Sequence, residues 1–180
     1  LGDVYKRQAL YVIGGLIVLV LLLHQMGPKN YNVFRTVEIS RPKNEVFTYL
    51  TSLKKMDDWS PWAKKDPNME KKFTGNDGQV GAISYWKGNK EVGEGEQEIK
   101  KIIDGERIES ELRFLKPFKS TSDCYIDVEE LTNGHTKVKW GFSGTNKFPM
   151  TIISLFKNMD SMVGPDFEEG MASLKTTLEK

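Results

Sequence analysis

Hydrophobic residues follow three regimes along this chain, beginning with one unbroken run. Ala9 to Leu23 is 15 residues without a charge, and His24, Gln25 and Met26 carry the uncharged stretch to 18 when His24 is neutral. At 1.5 Å per residue this is close to the shortest helix that crosses a bilayer. Lys6 and Arg7 precede it, which favours a cytoplasmic N-terminus with the rest of the chain across the membrane. A cleaved signal peptide has a similar apolar part, although no Ala-x-Ala-like site follows Leu23 and no cysteine stands near it for a lipid anchor. The expectation is a signal-anchor over residues 1–26, a linker over 27–31 and an extracytoplasmic domain over 32–180, attached to the membrane through residues 9–26.

Beyond the linker the pattern alternates. Val37 and Ile39 oppose Thr36 and Glu38, predicting a strand over 32–40. Pro42 can start a helix carrying Val46, Phe47 and Leu50, and a second short helix is expected from Leu53 to Trp59, stopped by Pro61. Six more strands are then predicted: Met69 to Thr74, Val80 to Trp86, Val92 to Ile103, Arg107 to Phe114, Ser120 to Leu131 and Thr136 to Phe142. Turn-forming pieces such as Asp104-Gly105 and Asn133-Gly134 separate them, the pattern of an antiparallel meander. Ile108, Leu112 and Phe114 share one face, as do Val138, Trp140 and Phe142; charged residues fill the opposite faces.

The third regime is helical. Ile152, Ile153, Leu155 and Phe156 predict one segment after Pro149, and Gly164-Pro165 is expected to interrupt and restart the helix. Val163, Phe167, Met171, Leu174 and Leu178 then form a single apolar face suited to covering the sheet. Gly170 within it costs roughly 1 kcal/mol of helix propensity relative to alanine.

Charge removes several functions. Outside residues 1–26 the chain holds 24 basic and 24 acidic side chains, without the clustered positive excess of a nucleic-acid groove. Cys124 is the single cysteine, so the domain depends on its core rather than on a disulfide. His24 and His135 belong to no metal-ligand cluster, and Gly75, Gly78 and Gly81 lack the Gly-Lys-Ser/Thr of a phosphate loop. No metal or cofactor is expected.

The order of elements, with Glu38-Ile39, Trp59-Ser60-Pro61-Trp62, Asp66-Pro67, Trp86-Lys87-Gly88-Asn89, Gly93-Glu94-Gly95, Thr136 to Trp140 and Gly164 to Gly170, resembles the START-like superfamily. More specifically, it is similar to polyketide cyclase/dehydrase-type SRPBCC proteins, many with an N-terminal membrane segment. The resemblance covers about 32–180 and implies an α+β, Bet v 1-like helix-grip fold, in which a long curved antiparallel sheet grips a C-terminal helix. It further implies an apolar cavity for a lipid or other hydrophobic molecule, and it transfers no catalytic residue.

The candidate lining is Trp59, Trp62 and Trp86 from the first half of the domain, and Ile108, Ser110, Leu112 and Phe114 from one strand. Trp140 and Phe142 come from the last strand, and Phe167, Met171 and Leu174 from the helix. Glu94 and Glu96 point the same way at i, i+2 and, if enclosed, would share a proton and supply an acid or base; a solvated outer face is the simpler expectation. Three functions follow: binding or carriage of a hydrophobic small molecule or lipid at the membrane, a cyclase- or dehydratase-like enzyme using Glu94 or Glu96, and an envelope scaffold or stress-response module with a filled pocket.

Overall fold

The computed structural model describes residues 2–180. Helix α1 (Gly2–Met26) leads into strand β1 (Asn30–Ile39), helix α2 (Lys43–Leu50), a 3-10 turn (Lys55–Asp58) and helix α3 (Pro61–Lys65). Strands β2 (Glu70–Thr74), β3 (Ile83–Lys87), β4 (Glu94–Ile103), β5 (Arg107–Lys116), β6 (Ser120–Glu130) and β7 (Thr136–Thr145) follow, then helices α4 (Met150–Ile153) and α5 (Met159–Leu178). The seven strands form one antiparallel sheet in the order β1-β7-β6-β5-β4-β3-β2. It is unclosed, and α5 lies across it: a helix-grip architecture.

The meander follows from its turns. Gly105 and Gly134 adopt φ of 68° and 76° in the β4–β5 and β6–β7 hairpins, conformations that side chains rarely take. β1 instead returns from the other end of the chain to pair with β7, from Asn30 opposite Thr145 to Ile39 opposite Thr136. Inner-face residues Val33, Ile39, Ile99, Ile108, Ile126 and Val138 are buried. The outer face is ionic. Arg113 donates to Glu96 at 2.6 Å, to Glu98 at 2.8 Å and to Glu111; Arg107 joins Glu109 at 2.9 Å and Asp127 at 2.5 Å. Such half-exposed pairs contribute little each, yet they oppose a slip in register that would turn these charges inward.

Proline positions differ from expectation twice. Pro61 opens α3 at its first position rather than stopping a helix, because the N–H it lacks has no intrahelical partner there. Pro165 lies inside an unbroken α5, whose N-cap Asn158 accepts from the Ser161 N–H at 2.8 Å. Glycine at 164 has no Cβ to collide with the proline ring, so the usual restriction on the preceding residue is relieved. Arg35 of β1 straps the helix across this point, pairing with Asp160 at 2.7 Å and Glu168 at 2.8 Å. Any side chain at 164 would occupy the place of that guanidinium. The expected helix over 152–156 shrinks to the four-residue α4, leaving Ile153, Leu155 and Phe156 exposed.

The expected linker is short and held. Gly27 is buried against the backbone of Thr151, β1 begins at Asn30, and the Asn146 side chain donates to the Pro28 carbonyl at 3.0 Å. α1 itself has no buried residue, and it meets the length and apolarity of a membrane span or a signal sequence.

Two predictions test how α5 is held. A Cβ on Gly170 would stand 2.7 Å from Trp140 Cζ3 and 3.2 Å from Pro61 Cδ, so Gly170→Leu should lower stability by about 1–3 kcal/mol, read by thermal unfolding, despite better helix propensity. At the other end Lys175 and the Ser40 N–H hold the Glu179 carboxyl down at about 2, against 4.5 ordinarily. Its stabilisation is therefore complete above pH 4.5 and is lost as pH falls toward 2. Glu179→Gln should flatten that part of the stability profile.

Candidate ligand cavity

Between the inner face of the sheet and α5 lies an apolar cavity of about 220 Å³. The sheet supplies Ser84 and Trp86, then Gln97, then Leu112 and Phe114, then Cys124, and finally Trp140 and Phe142. Trp62 and Ala63 of α3 and Val163 and Phe167 of α5 face them, while Leu53, Met56, Ser60, Met69 and Val92 complete the wall from connecting segments. Charged groups lie at its margin, where Lys71 pairs with Asp57 at 2.6 Å and Glu91 is exposed.

Aromatic packing shapes this space. Trp140 stacks on Phe167 with centroids 4.1 Å apart, and Trp59 and Trp62 meet its ring edge-on at 4.8 and 5.7 Å. Helix and sheet approach this closely because residue 170 is glycine. Across the sheet, Trp86 is the register partner of Gly95 and its ring covers that glycine; a Cβ there would stand 2.5 Å from Trp86 Cζ2. Trp86 also meets Phe114 edge-on at 6.2 Å and donates to the Val92 carbonyl at 3.4 Å. The large side chains are thereby fixed as walls.

The polar groups are few. Gln97 and Ser60 are buried, and the indole N–H of Trp140 meets no oxygen or nitrogen acceptor among the described residues, only the thiol of Cys124 as a weak sulfur partner. A buried donor whose one neighbour is a weak sulfur acceptor would gain from a ligand oxygen. Burial pushes the Cys124 thiol up to about 11, so it stays a neutral, apolar-like wall group. Among the described residues no His, Cys, Asp or Glu cluster can hold a metal.

Of the residues singled out from the sequence, Trp62, Trp86, Leu112, Phe114, Trp140, Phe142 and Phe167 come together around this cavity. Trp59, Met171 and Leu174 lie in the core behind it. Ile108 and Ser110 border a separate recess of only about 10 Å³ beneath α2. Glu94 and Glu96 stand on the outer face. Glu94 accepts from Lys116 at 2.7 Å and Tyr85 at 3.0 Å, and these partners lower its pKa, opposite to the shift of a carboxyl that keeps a shared proton. Glu96 is tied to Arg113. Sequence reasoning passed over Gln97, although it alternates in phase with the inward Gly95 and Ile99. Val163 is in phase with Phe167 on the apolar face of α5 but stands outside the expected lining, whereas Ala63, Met69 and Val92 carry no comparable signal.

No family model matches the chain, and no curated protein matches it. Solved structures do. A protein from Bacillus thuringiensis has a TM-score of 0.60 at 14% identity, covering 83% of this chain and 100% of its own. One from Nitrosospira multiformis has a TM-score of 0.57 at 17% identity, covering 82% and 96%. The protein Ara h 8.0201 has a TM-score of 0.53 at 10% identity, covering 82% and 99%. At these identities the likeness is one of fold, and it agrees with the helix-grip architecture.

The state of Cys124 can be checked directly. With its thiol at about 11 rather than 9.0, native protein at pH 8 should react with a thiol reagent about a hundredfold more slowly than unfolded chain, and burial slows it further. Equal rates would place Cys124 in solvent.

Proposed function

We propose that this chain is a membrane-anchored, START-like protein of the SRPBCC type that binds or carries a hydrophobic small molecule or lipid between sheet and α5. In this reading residues 1–26 form the membrane segment and the domain from about residue 32 is extracytoplasmic. The observation that carries it is the apolar cavity of about 220 Å³. That volume exceeds the ~150 Å³ known to admit benzene into an apolar site, and it fits one ring system or part of an acyl chain rather than a whole phospholipid. The Trp140 N–H, which has only the Cys124 sulfur beside it, favours a ligand with an oxygen acceptor among mostly apolar atoms. No carboxylate pair within the cavity supports acid–base chemistry, and the open volume argues against a purely filled scaffold.

Full-length protein in lipid nanodiscs should bind fluorescent fatty-acyl, sterol or aromatic probes saturably at one site. Ser84→Phe, which fills the cavity from β3, should weaken the bound probe by about tenfold or more, equivalent to about 1.4 kcal/mol, while thermal stability is kept. Absence of saturable binding across the panel, or indifference to the filling substitution, overturns the proposal.

A further inference from the structure

The end of α1 is fastened to the domain. His24 Nδ1 lies 2.6 Å from Thr151 Oγ1, Lys29 Nζ donates to the His24 carbonyl at 2.5 Å, and the Asn146 N–H donates to the Lys29 carbonyl at 2.7 Å. His24 follows directly on Leu23, the last residue of the apolar run. One residue of helix rises about 1.5 Å, so a bilayer holding the run would meet α4 at the level of its headgroups. This step rests on the reading of α1 as a membrane span.

The surface at that level is apolar and basic. Phe156 is 83% exposed and Phe148 59%, with Ile153 also open to solvent. The β5–β6 hairpin reaches the same end of the sheet. Asp123 pairs with Ser143, so Ser120 projects to the level of residue 146, and Phe118 just before it is 82% exposed. Lys119, Lys147 and Lys157 are exposed among these rings. From 131 through 159 there is no carboxylate. The next one, Asp160, is already paired with Arg35; at this sheet end Glu94 is paired with Lys116, and Glu91 in the β3–β4 loop is an exposed carboxylate without an ion pair among the described residues. Aromatic tips interleaved with unpaired lysines, continuous with an anchor's exit point, match the interface of an anionic bilayer.

We propose that α4, the turn through Phe156 and the β5–β6 hairpin tip seat in the headgroup layer of the membrane that α1 enters, with Lys119, Lys147 and Lys157 against lipid phosphates. The cavity's Val92, Phe114 and Val163 lie at this same end. A hydrophobic ligand then exchanges with the bilayer directly rather than through water.

The test uses full-length protein with a fluorophore placed singly through Phe118→Cys, Phe156→Cys or, at the opposite sheet end, Thr132→Cys, in vesicles of phosphatidylcholine with or without phosphatidylglycerol. Nitroxide lipids should quench the labels at 118 and 156 about fivefold more than at 132, and iodide should quench them less. Phosphatidylglycerol should strengthen the contrast, while high salt or Lys147→Glu with Lys157→Glu should reduce it. Labels at 118 and 156 that are as open to iodide as the one at 132 overturn the proposal. So do labels shielded from both iodide and lipid quenchers, which would mean a protein partner. Failure of the anchor reading is separate: the chain would then be released from vesicles by an alkaline wash.

Discussion

The stack of Trp140 on Phe167 sets the distance between sheet and helix, and the rest of the domain is arranged around it. A 4.1 Å approach of two ring centroids requires α5 to come down almost onto β7. Gly170 makes that approach possible one turn later, and Trp59 and Trp62 wedge the other side of the same indole. Below the stack, Met171 and Leu174 fill the interface completely. Above it the helix cannot close further, because the rigid rings hold it off. The cavity is the space that this single contact leaves on its open side.

Open space of that kind is expensive. The side chains bordering the volume of about 220 Å³ forgo the van der Waals contacts that a filled core would give them. Inward-facing Gly95 would be the simplest place to fill it, but the Trp86 ring already covers that position and lies along the wall instead of across the opening. Two glycines, 95 and 170, thus serve opposite ends of one design: each receives a tryptophan closely and keeps the bulk of that ring out of the central volume.

Much of this was legible from period alone. Alternation in 107–114 and 136–142 placed Leu112, Phe114, Trp140 and Phe142 on the inner face, and the spacing of Phe167, Met171 and Leu174 identified the gripping helix. Period does not distinguish a residue beside a cavity from one in the solid core behind it, which is why Met171 and Leu174 were grouped with Phe167. Nor does it identify partners across the sheet. Glu94 and Glu96 do share a face, but only the register shows that Lys116 and Arg113 meet them there. The prolines misled for local reasons. Pro61 sits at the first position of α3, where its missing N–H has no partner to lose. The residue before Pro165 is a glycine without the Cβ that restricts a pre-proline residue, while Arg35 ties the helix on both sides of that point to β1.

The balance of charge outside residues 1–26 conceals a division of the surface. The outer face of β4, β5 and β6 absorbs both signs into networks around Arg107 and Arg113, so its many charges leave little free potential. The stretch between Glu130 and Asp160 has lysines and no acids, and it also contains the apolar residues that failed to build a full helix after Pro149. A helix there would have turned Ile152, Ile153, Leu155 and Phe156 toward one protein face. Four residues of α4 instead secure Thr151 to His24 and leave Phe156 in solvent. The exposed rings and the fastening to α1 are thus consequences of the same short element, which is why the chemistry at the end of the anchor and the exposed surface of the domain belong to one argument.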